Sequence, residues 1–148
     1  WVGETLPRHR DLKFDETEFA LASDVGLTCF QAIRKRIKEK HRKEVAWRVL
    51  VRTIAKDSNY LSPHYGRESI AISVHHNAGL PFETFFKDME PVFVEFGGRP
   101  HWAKKHWRKA VHLKPLYPQW DDFHKMRASL DPNGFFLNEH LNEIFDVD

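Results

Sequence analysis

From Val25 to His41 the apolar residues Leu27, Phe30, Ile33 and Ile37 recur every three or four positions, behind Asp24. The run Arg34 to Lys43 supplies the opposite, basic side. That period predicts an amphipathic helix over 25–41. Glu39 interrupts the cations and no aromatic residues alternate with them, so this side reads as a solvated helix face and not as a phosphate-binding patch. After Lys43 the period changes to two. Val45, Trp47, Val49 and Val51 alternate with Ala46, Arg48, Leu50 and Arg52, which predicts a half-buried strand. A loop with Asp57, Ser58, Asn59, Pro63 and Gly66 separates it from a second strand, where Ile70, Ile72 and Val74 alternate with Ala71, Ser73 and His75. If the two strands pair, their aliphatic faces cover helices. Arg52, His75 and Asn77 then look out from the other side as a candidate binding surface.

Pro81 opens a predicted helix from Phe82 to Phe96 with an apolar stripe of Phe82, Phe85, Phe86, Met89 and Phe93. Pro91 lies inside it and is expected to kink or divide it. Residues 97–107 (GGRPHWAKKHW) read as a structured loop running into a short helical turn. A further helix is expected from Gln119 to Leu130, burying Trp120, Phe123, Met126 and Leu130 and ending at the turn Asp131-Pro132-Asn133-Gly134. The tail FFLNEHLNEIF is expected to dock back on the body. Residues 1–13 have no period and read as a lead-in, and no repeat or low-complexity tract is present. Helices mixed with alternating strands, without regular βαβ spacing, predict an α+β fold: an antiparallel sheet covered by helices on one face.

Composition narrows the partners. The 148 residues suit one domain, and 23 Lys+Arg against 21 Asp+Glu leave a net charge of +2, too small a field to attract DNA or RNA. Nucleic acid is therefore not expected as a partner. The single Cys29 excludes an internal disulfide and suits a reducing compartment, so the cytoplasm is favoured. No apolar stretch approaches the ~20 residues of a membrane span. The chain begins with Trp1 and not Met, which suggests an excised or processed segment.

The ten histidines do not suggest a metal site. His75 and His76 are adjacent and face opposite ways on a strand, while His101 and His106 are five apart, off the helical i,i+4 face. Cys29 sits on the apolar side of the first helix and reads as a buried thiol. No glycine-rich phosphate loop lies between a strand and a helix, so the chain is not expected to hold a dinucleotide alone. In Gly97-Gly98-Arg99-Pro100-His101-Trp102-Ala103-Lys104 the glycines permit close backbone approach, and the rigid turn presents Lys104. By the residues alone, this is either a tethered cation near a ligand or a turn with exposed charge.

Three segments, LSPHYGRESIAISVH, FGGRPHWAKKH and LYPQWDDFHKMRASLDPNGFFLN, closely resemble the C-terminal region of the sugar-1,4-lactone and alditol oxidases. That family comprises L-gulonolactone, D-arabinono-1,4-lactone and alditol oxidases among the vanillyl-alcohol-oxidase-type flavoproteins. The likeness runs from about Phe14 to Phe145. It implies a two-domain FAD-dependent oxidoreductase that takes hydride from a carbinol of an aldonolactone or polyol. On this reading, residues 1–13 lead in from an N-terminal FAD-binding domain, in cis or on a companion chain, and residues 14–148 are the substrate (cap) domain. Some relatives sit on a membrane, so peripheral association stays open.

Carried over by motif, the resemblance assigns Lys104, Arg52 and His75 to catalysis and Asn77, His101 and Trp102 to substrate. Lys104 and Asn138 approach the flavin, Asn138 being equally well explained as a helix cap. The two-residue strand period independently groups Arg52, His75 and Asn77 on one face. One departure stands out. The family strand reads acidic-x-Arg, whereas Leu50 occupies the acidic position two residues before Arg52. The alternative reading is a non-catalytic cap-like domain that binds a sugar or a protein partner.

Overall fold

The computed structural model describes residues 11–45 and 48–146. Most of the lead-in, and Ala46 and Trp47 of the expected first strand, lie outside those residues. Four strands form one antiparallel sheet among the described residues: β1 (Phe14–Ala22), β2 (Leu50–Ile54), β3 (Ser69–Asn77) and the short β4 (Arg99–Pro100). Their order across the sheet is β2-β3-β1-β4. The helices are α1 (Ser23–Lys40), α2 (Glu83–Glu95), α3 (Ala110–Leu113), α4 (Trp120–Leu130) and α5 (Glu139–Phe145), with a 3₁₀ turn at Lys114–Leu116. The α+β architecture expected from the periodicity is present.

The sheet has two chemically distinct faces because the side-chain period of a strand is two. Phe19 and Leu21 of β1 and Ile72 and Val74 of β3 point to one side. There they form a core with Cys29, Ile33 and Ile37 of α1 and Phe85, Phe86, Met89 and Phe93 of α2. Burial and the nearby Glu95 push the Cys29 thiol up to about 12, consistent with an inert core residue. A second, smaller core of Leu113, Tyr117, Trp120 and Ile144 joins the 3₁₀ turn and α3 to α4 and α5. The tail therefore docks through α5, as its pattern suggested.

Several expectations are corrected. The largest is β1: the alternation in Phe14-Asp-Glu-Thr-Glu-Phe-Ala-Leu-Ala makes an interior strand of the sheet where no element was expected. The expected strand over 45–52 forms later, at Leu50–Ile54, where it pairs with β3. Residues 99–100 form a strand and not a loop, because Arg99 and Pro100 pair with Ala20 and Phe19.

Pro91 does not divide α2, which runs unbroken from Glu83 to Glu95. Pro91 and Lys87 both face solvent, so the hydrogen bond that proline removes lies on the watery side of the helix. Leu27 is exposed and not part of the stripe, since α1 meets the sheet through Gly26, Cys29, Ile33 and Ile37, a line that passes beside it. Met126 and Leu130 are exposed as well, because α4 buries only Trp120 against the small second core.

Candidate active site

The face of the sheet away from α1 and α2 carries the polar residues. Strand register sets this directly, since partners across an antiparallel ladder share a face. Leu50 lies opposite Ser73 and Arg52 opposite Ala71, while Glu16 lies opposite His75, Glu18 opposite Ser73 and Phe14 opposite Asn77. Glu16, Glu18, Ser73 and His75 are all buried.

Lys104 reaches this face through an excursion of the chain after β4. His101 N donates to Glu18 O at 3.0 Å, and Lys105 N donates to Glu16 O at 2.9 Å, so the segment leaves β1 and returns to it two residues further along. The intervening turn is closed by Lys104 N donating to His101 O at 3.0 Å and by Ala103 N donating to His101 Nδ1 at 3.1 Å. Trp102 anchors the turn from behind. Its Nε1 donates to Leu61 O at 2.7 Å, and its ring packs near Tyr117 and Phe145 in the second core.

The polar groups form two linked pairs. The Lys104 ammonium donates to Glu16 Oε2, and His75 Nε2 lies 3.3 Å from Glu16 Oε1, so one carboxylate bridges the two. Arg52 Nη2 donates to both oxygens of Glu18 at 2.6 Å, and the Ser73 hydroxyl also donates to Glu18. Burial raises the affinity of Glu16 for a proton, but the hydrogen bond from Lys104 and the charges of Lys104 and His75 outweigh it. The Glu16 carboxyl is held below the usual carboxylate range. His75 Nδ1 is buried with no hydrogen-bond partner, and the Phe14 ring meets the imidazole edge-on at 4.9 Å.

These residues open on a cleft of about 560 Å³ lined by Phe14, Glu16, Arg48, Val49, Leu50, Arg52, His75, His101 and Lys104. Of the residues singled out from the sequence, Lys104, Arg52, His75 and His101 therefore come together. Trp102 turns into the second core, and Asn77 is exposed at the end of β3, outside the cleft lining. Asn138 caps α5, its side chain accepting from Leu141 N at 2.8 Å. Sequence reasoning missed Glu16 and Glu18. The available signal was the alternation that puts both carboxylates on the same side of Phe14–Ala22. The carboxylate absent at Leu50 is not simply lost from the neighbourhood of Arg52, because β1 supplies Glu18.

The chain that carries this cleft is similar in sequence to proteins named as lactone dehydrogenases, lactone oxidases and alditol oxidases. The chain is 35% identical over 135 residues to L-gulono-1,4-lactone dehydrogenase of Mycobacterium tuberculosis, covering 91% of this chain and 31% of that protein. It is 34% identical over 116 residues to L-gulonolactone oxidase of Mus musculus, covering 75% of this chain and 26% of the relative. Alditol oxidase of a Streptomyces species is 34% identical over 100 residues, covering 65% and 23%. The family model for D-arabinono-1,4-lactone oxidase matches residues 4–144, and the chain belongs to that family. It spans less than a third of the length of these curated relatives.

Proposed function

We propose that the chain is the substrate (cap) domain of an FAD-dependent oxidoreductase that oxidises a carbinol of an aldonolactone or polyol. The observation that carries this reading is the convergence of Lys104, His75 and Arg52 on one cleft, each against a buried carboxylate of β1. Vicinal hydroxyls need both donors and acceptors, and this set supplies both.

The residues fit the edge of a flavin ring and not the whole dinucleotide. Lys104 and Arg52 keep 31% and 48% of their side chains exposed at the cleft and can meet negative charge on a ring, whereas no described strand-to-helix junction carries a glycine-rich phosphate turn. A bound flavin supplies the two-electron acceptor: the carbinol C–H leaves as hydride, the hydroxyl proton goes to a cleft base or water, and the carbinol becomes a carbonyl. Lys104 and Arg52 donate to the reacting oxygen and favour its alkoxide character as the hydride departs. Acid/base work by His75 runs through Nε2, whose contact with Glu16 is long, because Nδ1 is buried. His101 closes the turn that holds Lys104 over the cleft.

The FAD-binding part belongs, on this reading, to another region of the protein or to a companion chain. The exposed apolar residues Met126, Leu130, Phe135 and Phe136 around α4 support a larger protein, since a patch of this kind on a small domain marks a covered surface. The test is to purify the complete gene product and follow flavin absorbance while adding L-gulono-, L-galactono- or D-arabinono-1,4-lactone or xylitol without oxygen. Bleaching by any of these is expected, together with no tight FAD binding by the 148-residue segment alone. A complete protein without flavin would favour the non-catalytic, sugar-binding alternative.

A further inference from the structure

We propose that Glu18 is a positioning residue of this cleft: from the interior of the sheet it aims Arg52 at the reacting oxygen, and Ser73 holds its carboxylate in place. This rests on the reading of the cleft as an oxidoreductase active site and adds to it a side chain outside the cleft lining. Glu18 stands on β1 and Arg52 on β2, with β3 between them. Two strand spacings separate them, about 10 Å. β3 presents Ser73 opposite Glu18 and Ala71 opposite Arg52, and both are small and buried. The long side chain of Arg52 therefore crosses above β3 and meets the carboxylate, Nη2 donating to Oε1 and Oε2 at 2.6 Å each.

The pair is lopsided. The Glu18 side chain is 5% exposed and that of Arg52 is 48% exposed. Among the described residues only Nη2 of the guanidinium is engaged, so Nη1 and Nε stay available where Arg52 lines the cleft. A half-exposed arginine samples many rotamers, and tying one nitrogen to a buried anion removes much of that freedom before a ligand arrives. Glu18 is itself fixed, since the Ser73 hydroxyl donates to Oε2. The backbone of the same residue serves the second cation: Glu18 O accepts from His101 N, where the turn that carries Lys104 begins. Changing the Glu18 side chain leaves that backbone bond in place, so the change reports on Arg52 alone.

The test is a double-mutant cycle in the complete flavin-containing protein without oxygen. The substrate is whichever of L-gulono-, L-galactono- or D-arabinono-1,4-lactone and xylitol reduces the native flavin fastest. Glu18→Gln is expected to lower the limiting rate of flavin reduction about 10- to 100-fold, with flavin content and half-saturating concentration close to native. In an Arg52→Ala background the same change is expected to cause no further loss, because nothing is left to position. Ser73→Ala removes one bond to Glu18 and keeps the ion pair. It is expected to slow reduction about 3- to 10-fold, and it decides the question if Glu18→Gln loses its flavin. A loss of equal size with and without Arg52 marks a structural role and overturns the inference, as does a limiting rate unmoved by both single variants. Either result leaves the proposed function standing. A flavin that none of these compounds reduces removes the proposed function, and the inference with it.

Discussion

Glu16 shows how one side chain organises the site. It is buried, it bridges an ammonium and an imidazole, and its carboxyl is held below the ordinary range despite burial. A carboxylate depressed in the folded state stabilises the fold above its unfolded value near 4.5, and the contribution disappears as pH falls through the lower folded value. In the complete protein, Glu16→Gln is therefore expected to lower stability at pH 7 by roughly 1–3 kcal/mol. The gap to the native protein should close as the pH is lowered below about 4.5. Urea titrations at a series of pH values read this directly, and parallel curves for the two proteins would refute it. The partners of Lys104, His75 and Arg52 were not legible in the sequence, although the three residues themselves were. Alternation assigns a residue to a face, and a motif marks a position, but neither says which carboxylate lies across a strand pair.

Among the elements, β1 and α1 separate what a pattern reveals from what only the assembled sheet does. The helix over 25–41 was legible because its stripe survives exposure of Leu27, while β1 was hidden by Asp15, Glu16 and Glu18, residue types that strands disfavour. Glu16 and Glu18 are tolerated because the face they share meets Lys104 and Arg52, and Asp15, on the other face, because Lys105 lies 3.6 Å from it, which is tertiary information. The same assembly explains Gly26. A Cβ there would lie 2.7 Å from Ile70 Cδ1 and 2.8 Å from Ile70 Cβ, so α1 rests on β3 with no room for a methyl group. Gly26→Ala gains helix propensity of up to about 1 kcal/mol. Overpacking against a core strand typically costs about 1–3 kcal/mol. The expected result is a net loss of stability in thermal unfolding, and a raised melting temperature would show that α1 can move away from Ile70.

At the scale of the whole molecule, the sheet divides the work. One face holds the aromatic core with α1 and α2, and the other holds the charged cleft, whose rim is completed by a turn pinned to the second core through Trp102. The fold class and the grouping of Arg52 with His75 followed from periodicity alone. The placement of Lys104 did not, because it depends on a two-residue strand and on backbone bonds back to Glu16 and Glu18. Among the described residues no helix is long and apolar enough to cross a membrane.

The central claim is that Lys104, held by Glu16, acts on the reacting oxygen. Rapid-mixing measurement of flavin reduction in the complete protein, native against Lys104→Ala, tests it most directly. A limiting rate about 100- to 1,000-fold slower with flavin content unchanged is the expected result, and an unchanged limiting rate would contradict the account.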